Sequence, residues 1–167
     1  MNFIGLPSPS ANVKKFLLVV DSEGYHDIKM PKSIKKEFFQ LDETYLQAMS
    51  DEGTSVVRKI GKNDSFIYSH EIRYLQNGEK IQKKKQITAR EYIQLLENQD
   101  PNKKKVRKIR QCFIFERQYF MVETFTNVDG SPSILRIETT GEGEKLKIPP
   151  FLEILREVTN DPFYNTN

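Results

Sequence analysis

The feature that most constrains this chain is a hairpin written into residues 65–87. Ser65 to Leu75 is a long β-prone run, Glu79 to Gln86 returns from it, and Asn77-Gly78 stands between them. Asn-Gly between two such runs is the strongest short-range hairpin signal, because both residues tolerate the positive φ of a type I′ turn. The pattern repeats along the sequence. Thr44 to Met49 and Ser55 to Ile60 are divided by Asp51, Glu52 and Gly53, and Lys105 to Phe115 meets Gln118 to Asn127 at Glu116-Arg117. Asp129-Gly130 turns into Ile134 to Thr140, and Val13 to Val20 (VKKFLLVV) is an opening strand. Strands in hairpin-joined runs, not alternating with helices, point to an antiparallel α+β sheet or barrel.

One helix is clear. Thr88-x-x-Glu91 is a capping box, in which hydroxyl and carboxylate satisfy amides orphaned at the first helical turn. Ala89, Tyr92, Ile93, Leu95 and Leu96 then give an apolar stripe at helical spacing, and Asp100-Pro101 closes it. Lys32 to Phe39 reads as a second, short helix with Phe38 and Phe39 packed inward. Ile148 to Val158, with Pro149-Pro150 near its start, stays open between strand and short helix. The expectation is about eight strands and two helices in one domain over residues 13–167, after a flexible leader of residues 1–12. Phe38, Phe39, Phe113, Phe115, Tyr119 and Phe125 are expected in the core, and Cys112 is expected to be buried and inert.

At 167 residues such a domain can bury a core without disulfides, and its single cysteine can form none internally. Two histidines, His26 and His70, and one cysteine offer no zinc cluster. Nothing approaches the roughly 20 apolar residues that cross a bilayer, and no basic–apolar–small leader is present. A cytoplasmic protein is expected. The net charge of +3 conceals an asymmetry: eleven Lys/Arg stand against four acids between Glu79 and Arg110, so that segment carries +7 and the remainder −4. Such a field suits phosphate ligands, anionic lipid head groups or nucleic acid, and a pair of solvated faces accounts for it equally well. Nucleic acid ranks low, because there is no aromatic-rich RNA-binding signature and no zinc finger.

Charge inside the strands is harder to place. Arg58 in SVVRKI, Glu123 in FMVETF, and Arg136 and Glu138 in SILRIETT are flanked by apolar residues. With the two-residue period of a strand, Lys108 and Arg110 share a face, as do Met121 and Glu123, and Arg136 and Glu138. Charged side chains are seldom buried unless paired or bound. Either these faces meet solvent, or a closed sheet of about eight strands encloses a wet, charged interior able to hold a small ligand.

The closing stretch KIPPFLEILREVTNDPFY (Lys147 to Tyr164) resembles the ending of the CYTH-like (triphosphate-tunnel) domain that follows an AAA-type NTPase domain in TRPL-translocation-defect-type proteins. KKFLLV, TYLQ, VVRK, QITAREYIQLL, KKVRKIRQCFIF and QYFMVETF fall in that domain's order. The resemblance implies an antiparallel eight-stranded, closed or nearly closed barrel with a few flanking helices. Its tunnel would be lined by Lys and Arg, with acidic strands coordinating Mg²⁺ or Mn²⁺ for attack of water on a triphosphate. Aligned this way, Ala11 and Val13 stand where two glutamates are expected, and Met121 and Arg136 replace carboxylates. Glu123 and Glu138 remain as candidate metal ligands. Lys15, Arg58, Lys108 and Arg110 keep the basic positions, Arg136 adds another cation, and His70 stands in for a tunnel lysine.

The expectation is therefore a module that holds a polyanion (a triphosphate, a nucleotide or a phosphoinositide head group) without hydrolysing it. One alternative is a divergent Mg-dependent triphosphatase using Glu123 and Glu138. The other is an electrostatic membrane or partner adaptor working through Lys83–Lys85 and the basic run from Lys103 to Arg110. The resemblance also implies an AAA-type NTPase domain as partner, although no Gly-x-x-x-x-Gly-Lys-Ser/Thr loop occurs in these residues.

Overall fold

The computed structural model describes residues 12–19, 30–48, 53–139, 146–161 and 163–164. Along the chain these form β1 (Asn12–Leu18), β2 (Lys36–Leu46), β3 (Thr54–Lys62), β4 (Ser65–Gln76) and β5 (Glu79–Ile87). Then come α1 (Ala89–Leu96), β6 (Val106–Phe115), β7 (Gln118–Phe125), β8 (Ser133–Thr139) and β9 (Ile154–Glu157). Residues 1–11 of the expected leader, Ala11 included, lie outside the described residues, and its last residue, Asn12, begins β1. The chain divides into two compact units, one spanning residues 40–107 and the other residues 10–39 with 108–167. Strands β2 and β6 each contribute to both.

In the first unit the order is β5-β4-β3-β2, every neighbour antiparallel. Helix α1 begins at the capping box: Thr88 Oγ1 accepts from the Glu91 amide at 3.1 Å, and Glu91 reaches back to the Thr88 amide. It covers one face of the sheet, where Tyr92 packs with Leu46, Val57 and Ile87 against Tyr68, Leu95 and Leu96. In the second unit the order is β6-β7-β8-β1-β9, again antiparallel. One face of that sheet is apolar: Leu18, Phe113, Phe120, Val122, Leu135 and Ile137 pack with Leu152, and Phe151 meets Phe113 at a tilt and Phe115 edge to face.

Four expectations need correction. Residues 36–39 are strand, not helix: a turn closed by the Ile34 amide on the Pro31 carbonyl precedes them, and KEFFQLDETYL runs on as one strand of 11 residues. Adjacent aromatics on a strand point to opposite faces, so Phe38 is 37% exposed beneath Lys36 and not packed inward. Tyr119, placed in the core from sequence, is 44% exposed for the same reason, since its neighbour Phe120 takes the apolar face. Cys112 is half-buried, alternating with the buried Phe113. The segment left open near the C-terminus contains the four-residue strand β9, which makes nine strands and one helix among the described residues.

Three hairpins use two-residue turns with both φ values positive: Asn63-Asp64, Asn77-Gly78 and Glu116-Arg117. Asn, Asp and Gly tolerate that region at little cost, whereas Glu116 (φ 48) and Arg117 (φ 66) do not. The double substitution Glu116→Asn with Arg117→Gly is expected to raise stability by about 1 kcal/mol in urea denaturation. The ion pair it removes, Glu116 to Lys147 at 3.8 Å, is exposed and weak.

Candidate functional site

The second unit's other face is charged, and register places its residues. On β6, Lys108, Arg110 and Cys112 lie opposite Phe125, Glu123 and Met121 of β7. Met121 and Glu123 in turn lie opposite Arg136 and Ile134 of β8. Arg136 is paired with Lys15 of β1, and Glu138 with Val13. Cross-strand partners share a face, so Lys15, Lys108, Arg110, Glu123, Arg136 and Glu138 stand on one side of the sheet.

At the centre is Glu123, 5% exposed. Arg110 donates to its Oε2 from Nε at 3.1 Å and from Nη2 at 2.8 Å. The Lys108 ammonium stands 3.9 Å from the same oxygen, and Arg136 Nη1 stands 3.9 Å from Oε1. Burial alone would raise the Glu123 pKa, but Lys108, Arg110 and Arg136 overcome it and bring it down to about 2. One buried carboxylate thus serves three cations, and Lys15 is the cross-strand partner of one of them, Arg136. Arg136 Nε is buried and makes no hydrogen bond among the described residues, an expensive state for a donor. Ammonium and guanidinium groups gathered on one face can hold an anion with several acceptor oxygens, as in a phosphate chain.

A divalent metal fits less well. Glu138 is exposed and lies four residues beyond Ile134, the partner of Glu123, or roughly 13 Å along the strand. Mg²⁺ needs its oxygens at about 2.1 Å, and the Glu123 carboxylate is already committed to cations. Val13, not a carboxylate, faces Glu138. Among the described residues no three His, Cys, Asp or Glu converge as metal ligands. As arranged, Glu123 and Glu138 do not form a Mg²⁺ site.

In the first unit Arg58 is held between two buried carboxylates. Its Nη2 donates to Glu43 at 3.1 Å and its Nη1 to Glu71 at 3.2 Å, with Glu43 and Glu71 1% and 3% exposed. Burial works against the charged guanidinium, yet the two carboxylates outweigh it and the Arg58 pKa rises. The other Glu71 oxygen accepts from Arg73 at 2.6 Å and from Gln82 at 2.8 Å. Arg58 therefore sits between the two carboxylates, although its Nε, like that of Arg136, is buried without a hydrogen bond among the described residues.

His70 is a correction. It pairs with Val57, whereas Arg58 pairs with Ser69, so His70 projects to the helix-covered face and not to the face of Arg58. There it is 2.8 Å from the Ser55 hydroxyl, and burial together with Lys85 lowers its pKa. The lysines of β5 lie on the strand that ends the β5-β4-β3-β2 order, where basic side chains discourage edge-to-edge pairing. Lys105 stands 3.5 Å from Asp42.

Glu43, Glu71, Arg73 and Gln82 were not found by sequence reasoning. The one available signal was the i, i+2 spacing of Glu71 and Arg73, which puts opposite charges on one face of a strand.

No family model and no curated protein matches the chain by sequence. Its fold is nonetheless that of solved structures. The inorganic triphosphatase NE1496 superposes with a TM-score of 0.62 at 18% identity, covering 96% of this chain and 93% of that one. The PH1819 protein of Pyrococcus horikoshii OT3 gives 0.53 at 12% identity over 78% and 80% of the two chains. PH1012 of the same organism gives 0.51 at 14% over 77% and 80%. The chain has the antiparallel, strand-dominated CYTH (triphosphate-tunnel) fold.

Proposed function

We propose that this protein holds a phosphate-chain polyanion on the charged face of β6, β7, β8 and β1 without hydrolysing it, through Lys15, Lys108, Arg110 and Arg136. The observation that carries the proposal is the convergence of Lys108, Arg110 and Arg136 on one buried carboxylate. The absence of turnover rests on the separation of Glu123 from Glu138 and on the engagement of Glu123 by cations.

Calorimetric titration with tripolyphosphate tests the binding half. Saturable binding is expected, weakened about 100-fold by Arg110→Ala together with Arg136→Ala, because each charge-assisted contact is worth about 1.5 kcal/mol or more. Unchanged binding in that double variant would remove the proposal. Cys112, the only cysteine, lies opposite Met121 on the same face and serves as a reporter. Its alkylation is expected to slow when tripolyphosphate is present.

The second reading, a divergent triphosphatase, is supported by the fold shared with the triphosphatase NE1496. Orthophosphate release that requires added Mg²⁺ and disappears in Glu138→Gln would establish it and overturn the non-hydrolytic half. Nucleoside triphosphates and inositol phosphates are further arms of the titration and name the polyanion class. An AAA-type NTPase domain as partner rests on the resemblance of the closing motif. The electrostatic adaptor reading is separated by salt, since surface attachment to anionic vesicles fades as ionic strength rises.

A further inference from the structure

The closing REVTN segment packs against β1 at the residue that carries a cation of the anion face. From Phe16 to Leu18, β1 pairs with β9, but β9 stops at Glu157, opposite Phe16. At Lys15 the edge is completed differently. The Val158 amide donates to the Lys15 carbonyl at 2.8 Å, and the Lys15 amide donates to Thr159 Oγ1 at 3.1 Å. The Thr159 hydroxyl sends its proton to Glu157 Oε1 at 2.8 Å, a shorter contact than the 3.5 Å to the Lys15 carbonyl. Amide, hydroxyl and carboxylate form a relay in which Glu157 polarises the hydroxyl and makes it a better acceptor. The turn beyond is fixed independently: Asp161 accepts from the Phe163 amide at 3.0 Å and from Arg156 at 3.3 Å.

We infer that Thr159, polarised by Glu157, is a positioning residue for the anion site. It fixes the Lys15 backbone so that the Lys15 side chain enters beside Arg136, its partner on β8. This inference rests on the proposed function above and assigns a part in it to the closing motif. A side-chain acceptor is suited to the task because the regular β9 register ends at Glu157: Val158 still donates to the Lys15 carbonyl through its backbone, and Thr159 reaches the Lys15 amide through its hydroxyl.

The test is a double-substitution cycle on the full chain with tripolyphosphate as probe. Lys15→Ala is expected to weaken binding about tenfold and Thr159→Val about fivefold, while Thr159→Ser keeps the wild-type affinity. In the Lys15→Ala background, Thr159→Val is expected to change nothing further. Equal weakening in both backgrounds, or wild-type affinity in a folded Thr159→Val chain, overturns the inference. Should Thr159→Val fail to fold, Glu157→Ala takes its place in the cycle, with an expected two- to threefold loss absent in the Lys15→Ala background. Hydrogen exchange supplies a ligand-independent arm: the Lys15 amide should exchange faster in Thr159→Val, and unchanged exchange counts against the latch. A wild-type chain that fails to bind tripolyphosphate overturns the proposed function instead, with the exchange arm still reading the latch.

Discussion

Glu123→Gln is expected to cost about 3 kcal/mol of stability at neutral pH and yet to bind tripolyphosphate about tenfold more tightly. The stability loss follows from burial. Glu123 is 5% exposed among Lys108, Arg110 and Arg136, and a neutral amide leaves those cations without their counter-charge. The pH dependence has a defined sign. The folded pKa, about 2, lies below the ordinary carboxylate value of 4.5, so the stabilisation is complete above that value and is lost as pH falls towards 2. Urea denaturation should therefore show a gap between wild type and variant at pH 7 that closes between roughly pH 4.5 and pH 2. The affinity gain follows from the same atoms, because the incoming anion no longer meets a carboxylate and Arg110 is released to it. Ligand at 100 times its dissociation constant returns about 2.7 kcal/mol, so the variant should recover most of its lost stability in saturating tripolyphosphate. Weaker binding by Glu123→Gln would show the carboxylate to be part of the ligand site, as a metal ligand would be.

What could be read from the sequence and what could not divide along a physical line. Asn77-Gly78 and the Thr88–Glu91 capping box act within a few residues, and each appears where local chemistry places it, while the Glu116-Arg117 turn falls between its two strand runs despite the chemistry of its residues. Residues 36–39 misled because two adjacent phenylalanines fit one turn of helix and a strand equally well, and only the continuation through Leu46 decides. The short strand β9 stayed ambiguous for a related reason, since four residues behind Pro149-Pro150 carry too little periodicity. The second unit's cations were placed on a common face by alternation and by resemblance, whereas their convergence on Glu123 depends on the pairing of β6, β7 and β8. His70 shows the limit most plainly. Its face is set by whether it pairs with Val57 or Arg58, and a one-residue shift in register reverses it. Glu43 and Glu71 are distant from Arg58 in sequence and meet it only through the pairing of β2, β3 and β4, which no local pattern encodes.

Arg58→Met is expected to destabilise the protein by about 3 kcal/mol or more while leaving tripolyphosphate affinity within a few-fold of wild type. Sequence resemblance puts Arg58 among the phosphate ligands, but its Nη1 and Nη2 already donate to Glu71 and Glu43. Methionine fills the volume of the guanidinium stem and returns none of its charge, so Glu43, 1% exposed, keeps its burial and loses this counter-ion. In the variant that carboxylate is expected to titrate above its ordinary range. The sign is then opposite to that of Glu123: with the folded pKa raised, the stability of Arg58→Met should improve as pH falls and decline as pH rises through the raised value. Adding Glu43→Gln removes the carboxylate that Arg58 had offset and should recover part of the loss at pH 7, an interaction energy that a double-mutant cycle measures directly. A collapse of affinity by 100-fold in a folded Arg58→Met chain, with stability little changed, would make Arg58 a phosphate ligand. The opposite pattern makes it a brace, and leaves the anion to Lys15, Lys108, Arg110 and Arg136.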